Sequence, residues 1–290
     1  MSLTNGLAIS DADFTFLREY LYARSGLSLT AEKRYLLESR LMPICRQKSF
    51  TVFSQLIQEL KSGKAADLER TVVEAMTTNE TLFFRDKTPF DILTNSMLPE
   101  LLAARSSTRK LRFWCAAAST GQEPYSLAMT LDSLGAKLAG WKVEIIGTDI
   151  SIECLEKAKA GIYNQFEVQR GLPVQLMLKY FKQVGDKWHI ADHIKAMVQY
   201  RPLNLVRDFS ALGEFDFVFC RNVLIYFDAP TKKSVLDRIS TMLPPHGALV
   251  MGAAETVLGL SDKLSPHPRH RGLYSTPVKG ERIVAQRITA

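Results

Sequence analysis

The sequence predicts an α/β protein in which a doubly wound, mostly parallel sheet follows an all-helical N-terminal domain and is interrupted by a small antiparallel insert. Three observations predict it. Apolar residues recur at helical spacing over residues 10–75; from residue 110 apolar strand-like runs alternate with helical stretches; and between residues 161 and 200 short runs gather around a Gly-Asp turn. Alternation of the second kind argues for parallel strands joined by crossover helices.

Taken in order, Phe14, Leu17, Tyr20 and Leu21 mark a first helix, Leu36, Leu37 and Leu41 a second, Phe53, Leu56, Ile57 and Leu60 a third, and Leu68, Val72 and Ala75 a fourth. Ser10, with Asp13 three positions on, and Thr30, before Ala31-Glu32-Lys33, have the chemistry of helix caps. Pro43 should kink or restart the helix that begins near Ala31. Strands are then expected at 111–117 and 143–147, with helices near 124–134 and 151–160. In the insert, 176–181, 188–190 and 196–200 read as strands, with Gly185-Asp186 as the turn. The parallel pattern resumes with a strand at 215–220, a helix near 230–242 and a strand at 248–252. The tail beyond 276 is basic, short of large apolar groups, and expected to fray.

The most informative stretch is Trp114-Cys115-Ala116-Ala117-Ala118-Ser119-Thr120-Gly121-Gln122-Glu123-Pro124-Tyr125-Ser126, which passes from buried strand to small-residue loop to helix start. Small side chains let a ligand approach the backbone, and a helix N-terminus supplies amide donors. The loop has neither the G-x-G-x-x-G spacing of a dinucleotide site nor the Lys-Ser/Thr pair of a nucleoside triphosphate site. It also carries an acid, Glu123, where a phosphate binder would avoid negative charge. A cofactor with a cationic end suits it better, and S-adenosylmethionine, with ammonium and sulfonium groups, is the leading candidate.

Composition narrows the setting. The chain has 290 residues, 46% of them hydrophobic, enough for two modest domains or one large one. A net charge of +7 is a mild bias towards acidic partners and not a nucleic-acid signature. Cys45, Cys115, Cys154 and Cys220 form no C-x-x-C pair, which points away from a disulfide framework or a zinc cage and towards a reducing cytoplasm. The N-terminus has no basic flank with an apolar core, and no apolar run approaches ~18 residues, so secretion and membrane insertion are not expected.

In a doubly wound sheet, ligands sit beyond the carboxyl ends of the strands where strand order reverses. Asp149 closes the second strand, where it could accept from ribose hydroxyls or simply cap the helix after Ser151. Glu123 could hold an ammonium group or complement its helix dipole. Arg221-Asn222 and Asn204-Leu205 follow two further strands, as ligand contacts or as turn formers. Tyr226 could reach a reaction centre or only pack. The run Thr77-Thr78-Asn79-Glu80-Thr81-Leu82-Phe83-Phe84-Arg85-Asp86 suits a hinge over a ligand, with Arg85 either orienting a carboxylate or pairing with Asp86 or Glu80. No metal is expected: His189 and His193 are four apart, but in a strand reading and without a following Glu. The G-x-S-x-G elbow of serine hydrolases is absent, and Cys115 and Cys220 lie in buried strands with no nucleophile signature.

These same segments, 77–85, 114–126, Thr148-Asp149-Ile150, Pro202-Leu203-Asn204-Leu205 and 219–227, resemble in order the chemotaxis receptor glutamate methyltransferases, the CheR family. The resemblance implies a class I (Rossmann-like) methyltransferase sheet at residues 86–290 with the antiparallel insert at about 161–200, preceded by a helical receptor-docking domain at residues 1–85. It implies transfer of the S-adenosylmethionine methyl group to glutamate side chains of methyl-accepting chemoreceptors, giving 5-O-methyl esters and S-adenosylhomocysteine. Carried over residue by residue, Asn79, Thr81, Arg85, Glu123, Asp149, Asn204, Leu205, Arg221 and Asn222 would line the cofactor site, with Arg85 and Tyr226 flanking the methyl group and the incoming glutamate. A substrate glutamate of pKa ~4.3 is already ionised at neutral pH, so no general base is required.

Docking to the receptor's cytoplasmic helical bundle is expected from the basic stretch at 24–48, in which Arg24, Lys33, Arg34, Arg40, Arg46 and Lys48 outweigh Glu32 and Glu38. Lys33, Leu37 and Arg40 would share one helix face, and Lys33, Arg34, Arg40 and Arg46 are the docking candidates, unless the face is merely solvated. Some relatives grip a receptor C-terminal pentapeptide through a longer loop containing Gly-x-Gly in the insert. Here Val184-Gly185-Asp186-Lys187 offers one glycine, so no pentapeptide tether is expected. Two rivals stand beside this reading: a class I methyltransferase acting on another substrate, although Asn/Asp-Pro-Pro-Tyr/Phe is absent after the fourth strand, and a non-catalytic cofactor-binding regulator.

Overall fold

A computed structural model describes residues 9–277 of the chain. The basic tail expected to fray lies, from residue 278 on, outside the described residues. The chain divides into two units: residues up to Thr78 together with Tyr226–Asp228, and Asn79–Ile225 together with the chain from Ala229.

The first unit is built from helices α1 (Asp11–Ser25), α2 (Arg34–Gln47), α3 (Phe53–Ser62) and α4 (Ala66–Ala75). Their apolar faces meet in a core that includes Leu17, Leu21, Leu37, Leu41, Phe53, Leu56 and Val72. Ser10 caps α1, its hydroxyl oxygen accepting from Asp13 N at 3.1 Å. Thr30 does not cap with its side chain. It precedes a single 3-10 turn, Ala31–Lys33, closed by the backbone bond from Lys33 N to Thr30 O at 3.0 Å. The expected restart at Pro43 is also absent, because α2 runs through that residue. Leu41, Ile44 and Cys45 are buried on either side of it, and tertiary burial of the apolar face outweighs one missing backbone bond.

The second unit begins with α5 (Thr88–Ile92), a π-helical turn (Leu93–Met97) and α6 (Leu98–Ala104), followed by β1 (Lys110–Cys115), α7 (Gln122–Asp132), β2 (Lys142–Asp149) and α8 (Ile152–Ala160). The insert comprises β3 (Ile162–Asn164), α9 (Gln165–Gln169), α10 (Val174–Tyr180), β4 (Phe181–Val184), β5 (Lys187–Ile190) and α11 (Asp192–Lys195). Then come β6 (Val198–Pro202), β7 (Phe217–Cys220), α12 (Ala229–Ser240), β8 (Ala248–Met251), β9 (Ser265–Pro266) and β10 (Leu273–Ser275).

The large sheet has the order β6-β2-β1-β7-β8-β10-β9, with the first five strands parallel and β10 and β9 antiparallel; β3, β5 and β4 form the separate small sheet. Every residue of β7 and β8 is buried, as expected of central parallel strands covered on both faces. Two expectations need correction. Residues 176–180 belong to helix α10 and not to a strand, with Leu176 and Met177 turned to the core and Val174 and Leu178 exposed; a short apolar run does not separate the two states by itself. Val198–Pro202 is not part of the insert but pairs in parallel with β2, where it forms an edge strand with only Val198 fully buried. The short strands β9 and β10 had no sequence signal.

Candidate active site

Strand order reverses between β1 and β7: the chain moves from β1 outward through β2 to β6, then returns to β7 on the other side. The carboxyl ends of β6, β2, β1 and β7 therefore form one continuous edge. In that order the strand ends carry Asn204-Leu205 beyond β6, Asp149 as the last residue of β2, the loop leading to Glu123 beyond β1, and Arg221-Asn222 beyond β7.

Asp149 is anchored by main-chain donors on both oxygens, Ser119 N to Oδ2 at 2.8 Å and Ser151 N to Oδ1 at 2.9 Å. It thus ties the small-residue loop to the end of β2. Ser151, rather than Asp149, caps α8 by accepting from Cys154 N at 3.2 Å. Register places Asp149 beside Pro202, and Leu203 N donates to Asp149 O at 2.9 Å, so Asn204 and the buried Leu205 adjoin the carboxylate's strand end. Asn204 Oδ1 also accepts from Val206 N at 3.2 Å, the turn-forming role open to a loop asparagine.

The loop itself is shaped by two positive backbone angles, φ 48 at Ser119 and φ 95 at Gly121, the residue preceding α7. A Cβ on Gly121 would stand 2.8 Å from the hydroxyl of Tyr200 and 3.0 Å from that of Tyr163, so glycine is required for the loop to lie on this tyrosine floor. Beneath it Tyr125 donates to Ala158 O at 2.6 Å, and burial pushes its phenol up to about 12.

Glu123 sits in the first turn of α7 and meets Arg221, whose Nη1 donates to Glu123 Oε2 at 2.7 Å. Arg221 is 1% exposed in its side chain, and its Nη2 donates to Asp86 Oδ2 at 2.6 Å and to Arg85 O at 2.9 Å. Burial pushes the Glu123 carboxyl above the usual carboxylate range, and the Arg221 charge opposes that rise. Burial likewise drives the thiols of Cys115 and Cys220 well up, which keeps them protonated and unsuited to nucleophilic work.

Residues 79–87 strap across this edge. Ser119 Oγ donates to Asn79 O at 2.8 Å, and Phe84 N donates to Ser126 Oγ at 2.9 Å. Phe84, Asp86 and Lys87 all have positive φ, an arrangement held by these bonds and by Arg221. Fully buried Phe83 packs edge-on against Tyr163 and Phe181. The Arg85 guanidinium donates to Glu80 O at 3.2 Å, while the Glu80 carboxylate pairs with Arg170 at 2.9 Å and that of Asp86 with Arg221, the two acids open to Arg85 as ion-pair partners. Thr81 is half-buried in the same strap.

Tyr226 belongs with the helical unit, its carbonyl accepting from Ser28 N at 2.9 Å. Of the docking candidates, Lys33 lies in the 3-10 turn and Leu37 is fully buried, so Lys33, Leu37 and Arg40 do not form one exposed helix face. Arg40 donates from Nη1 to Met76 O and Thr77 O, each at 2.8 Å, closing the carboxyl end of α4. Arg34 pairs with Asp11 and stacks on Phe14, whereas Lys33 and Arg46 are exposed. His189 lies on β5 and His193 on α11, and no cluster of three or more metal-ligating side chains occurs among the described residues.

Sequence reasoning missed Asp86 as a partner of Arg221, Ser119 and Ser126 as anchors of the strap, and Glu255, which binds four main-chain amides beyond β7 and β8. The one available signal for Glu255 was an isolated acid in the Gly252-Ala253-Ala254-Glu255 segment after a buried strand.

The donor set fits an adenosyl cofactor with an amino-acid end. A carboxylate at the end of β2 suits a ribose diol, and Glu123 with Arg221 offers complementary charges to an ammonium and a carboxylate. The Nε of Arg221 is buried without a hydrogen-bond partner among the described residues, a donor left over for such a ligand. Sheet order, small-residue loop and donor set together define an S-adenosylmethionine-dependent methyltransferase of class I.

The family described as "CheR methyltransferase, SAM binding domain" matches residues 79–272, and the one described as "CheR methyltransferase, all-alpha domain" matches residues 12–77. The chain belongs to the CheR methyltransferase family. It is 40% identical over 260 residues to "Chemotaxis protein methyltransferase 1" of Vibrio cholerae, covering 89% of this chain and 94% of that one. It is 42% identical over 262 residues to "Chemotaxis protein methyltransferase 1" of Pseudomonas aeruginosa, covering 88% and 94% of the two chains. Against "Chemotaxis protein methyltransferase" of Escherichia coli it is 36% identical over 260 residues, covering 88% of each.

Proposed function

We propose that the chain methylates specific glutamate side chains in the cytoplasmic helical bundle of chemoreceptors, leaving 5-O-methyl esters and S-adenosylhomocysteine. The observation that carries this reading is the continuous edge over β6, β2, β1 and β7, on which the acids and the arginine suited to the cofactor fall side by side. S-adenosylmethionine, when bound, supplies an electrophilic methyl group on a sulfonium. Glu123 and Arg221 hold its amino-acid end, Asp149 its ribose, and Asn204, Leu205, Asn222, Asn79 and Thr81 complete the cradle.

The acceptor carboxylate is ionised at neutral pH, so these residues act by placement and exclusion of water. Arg85 fits the task of orienting it, because a guanidinium can hold a carboxylate through two parallel bonds. Tyr226 is assigned to the acceptor side, ordering the glutamate by hydrogen bonding. Lys33 and Arg46, with Arg34, supply the charge that attracts the acidic receptor bundle. No helix among the described residues is long and apolar enough to cross a membrane. A substrate in the receptor's cytoplasmic bundle calls for a cytoplasmic enzyme.

Pentapeptide tethering is not part of this reading. The β4–β5 connection is a two-residue turn, Gly185-Asp186, between the paired residues Val184 and Lys187, and this shortness supports a reading without the longer Gly-x-Gly loop. Micromolar binding of the receptor C-terminal pentapeptide in calorimetry would overturn this part. The assignment of Arg85 is tested by Arg85→Ala, which should lose turnover on receptor fragments while retaining cofactor affinity; an unchanged rate removes it from the mechanism.

A further inference from the structure

We infer that Glu255 is a positioning residue of the cofactor site, holding the Arg221-Asn222 turn in the conformation that faces the ligand. This rests on the reading above that the turn lines the cofactor cradle. β8 ends beside β7, and the chain then passes through Gly252 to Glu255. Oε2 of Glu255 accepts from Asn222 N at 2.6 Å and Gly252 N at 2.9 Å, while Oε1 accepts from Leu224 N at 2.8 Å and Val223 N at 3.1 Å. Three consecutive amides beyond β7 therefore converge on one carboxylate, an anion nest whose anion is supplied by the neighbouring strand end.

The turn needs such an anchor. Asn222 has φ 56, in the left-handed region that a non-glycine residue enters at a cost. The residue before it is Arg221, whose guanidinium spans Glu123 and Asp86. The close approach is itself built in: a Cβ on Gly252 would stand 2.7 Å from Glu255 Oε2 and 2.9 Å from Asn222 Nδ2. The charge of Glu255 also contributes to raising the Glu123 carboxyl, so the two acids act on one crevice.

Glu255→Gln preserves shape but replaces one acceptor oxygen with a donor NH2, leaving two amides without an acceptor. Hydrogen exchange at the amides of residues 222–224 should quicken, and the Kd for S-adenosylhomocysteine in calorimetry should rise about tenfold. The KM for S-adenosylmethionine should rise in step while kcat at saturating cofactor stays within about twofold, a split that general loss of structure would not produce. Unchanged exchange, or unchanged Kd and KM, overturns the inference.

Asn222→Ala separates the two claims. If it weakens cofactor binding while Glu255→Gln does not, Glu255 is not the positioning residue and the cradle reading stands. If only Glu255→Gln weakens binding, the inference stands and Asn222 leaves the cradle. Should Glu255→Gln fail to fold, Gly252→Ala presses on the same oxygen and must give the same exchange and affinity changes; wild-type behaviour there overturns the inference.

Discussion

Arg221 Nη1 and Glu123 Oε2 are bonded at 2.7 Å across the point where the strand order of the sheet reverses. Arg221 directly follows β7, and Glu123 lies in the first turn of the helix after β1, the two strands that flank the reversal. The same guanidinium reaches Asp86 and the carbonyl of Arg85, so a single buried cation joins the cofactor edge to the strap that carries the arginine assigned to the acceptor.

Removing the carboxylate should therefore be felt chiefly in cofactor binding. Glu123→Gln is expected to weaken S-adenosylhomocysteine binding by on the order of 30-fold or more, the cost of losing one partner of a buried charge pair. Calorimetry reads this directly, and an unchanged Kd would return Glu123 to the role of a helix-dipole complement.

The same pair sets a pH dependence. Burial raises the Glu123 carboxyl in the folded protein. Its contribution to the stability of the cofactor-free protein is thus fully present below its unfolded value and lost as pH rises through the folded one. A cationic ligand favours the ionised form, so cofactor affinity should fall as pH drops from neutrality through the raised value, with proton release on binding. Calorimetry in two buffers of different ionisation enthalpy measures that release; a flat affinity with none between about pH 7 and the ordinary glutamate value of about 4.3 would contradict it.

At the opposite end of β7, buried Asp216 accepts from Arg105 Nε at 2.7 Å and Arg112 N at 2.8 Å, with His246 Nε2 at 3.0 Å. Asp216→Ala should cost about 3 kcal/mol or more by stranding these donors. Denaturant unfolding should show the loss, with the affinity of the folded protein for cofactor unchanged.

In the helical unit, Arg40 and the exposed basic residues should separate. Arg40→Ala is expected to destabilise the protein by about 1–2 kcal/mol through the lost bonds to the carboxyl end of α4. The double variant Lys33→Ala, Arg46→Ala should leave the melting temperature in place and weaken binding to receptor fragments, with a shallower salt dependence. Equal effects of both on melting would refute the division.

Much of this was legible in the sequence because it depends on strand ends. Apolar runs locate β1, β2 and β7; Asp149 closes β2, Arg221 directly follows β7, and Glu123 opens the helix that succeeds β1. Glu255 and Asp86 were not legible, because each acts on main-chain amides or a guanidinium brought close only by the sheet. The bonds of Arg40 were not legible for a related reason: charge and spacing are local, whereas the carbonyls it closes follow a helix and lie 36 and 37 residues away. Residues 196–200 were assigned to the insert because a one-sided edge strand carries too little apolar signal to declare its sheet.

The most direct test is incubation with S-adenosylmethionine labelled in the methyl group and cytoplasmic fragments of receptors from the same cell. The account predicts base-labile label on specific glutamates, abolished by Glu123→Gln at limiting cofactor and by Arg85→Ala even at saturating cofactor. A protein that binds the cofactor yet transfers no label to any receptor in the panel would contradict it.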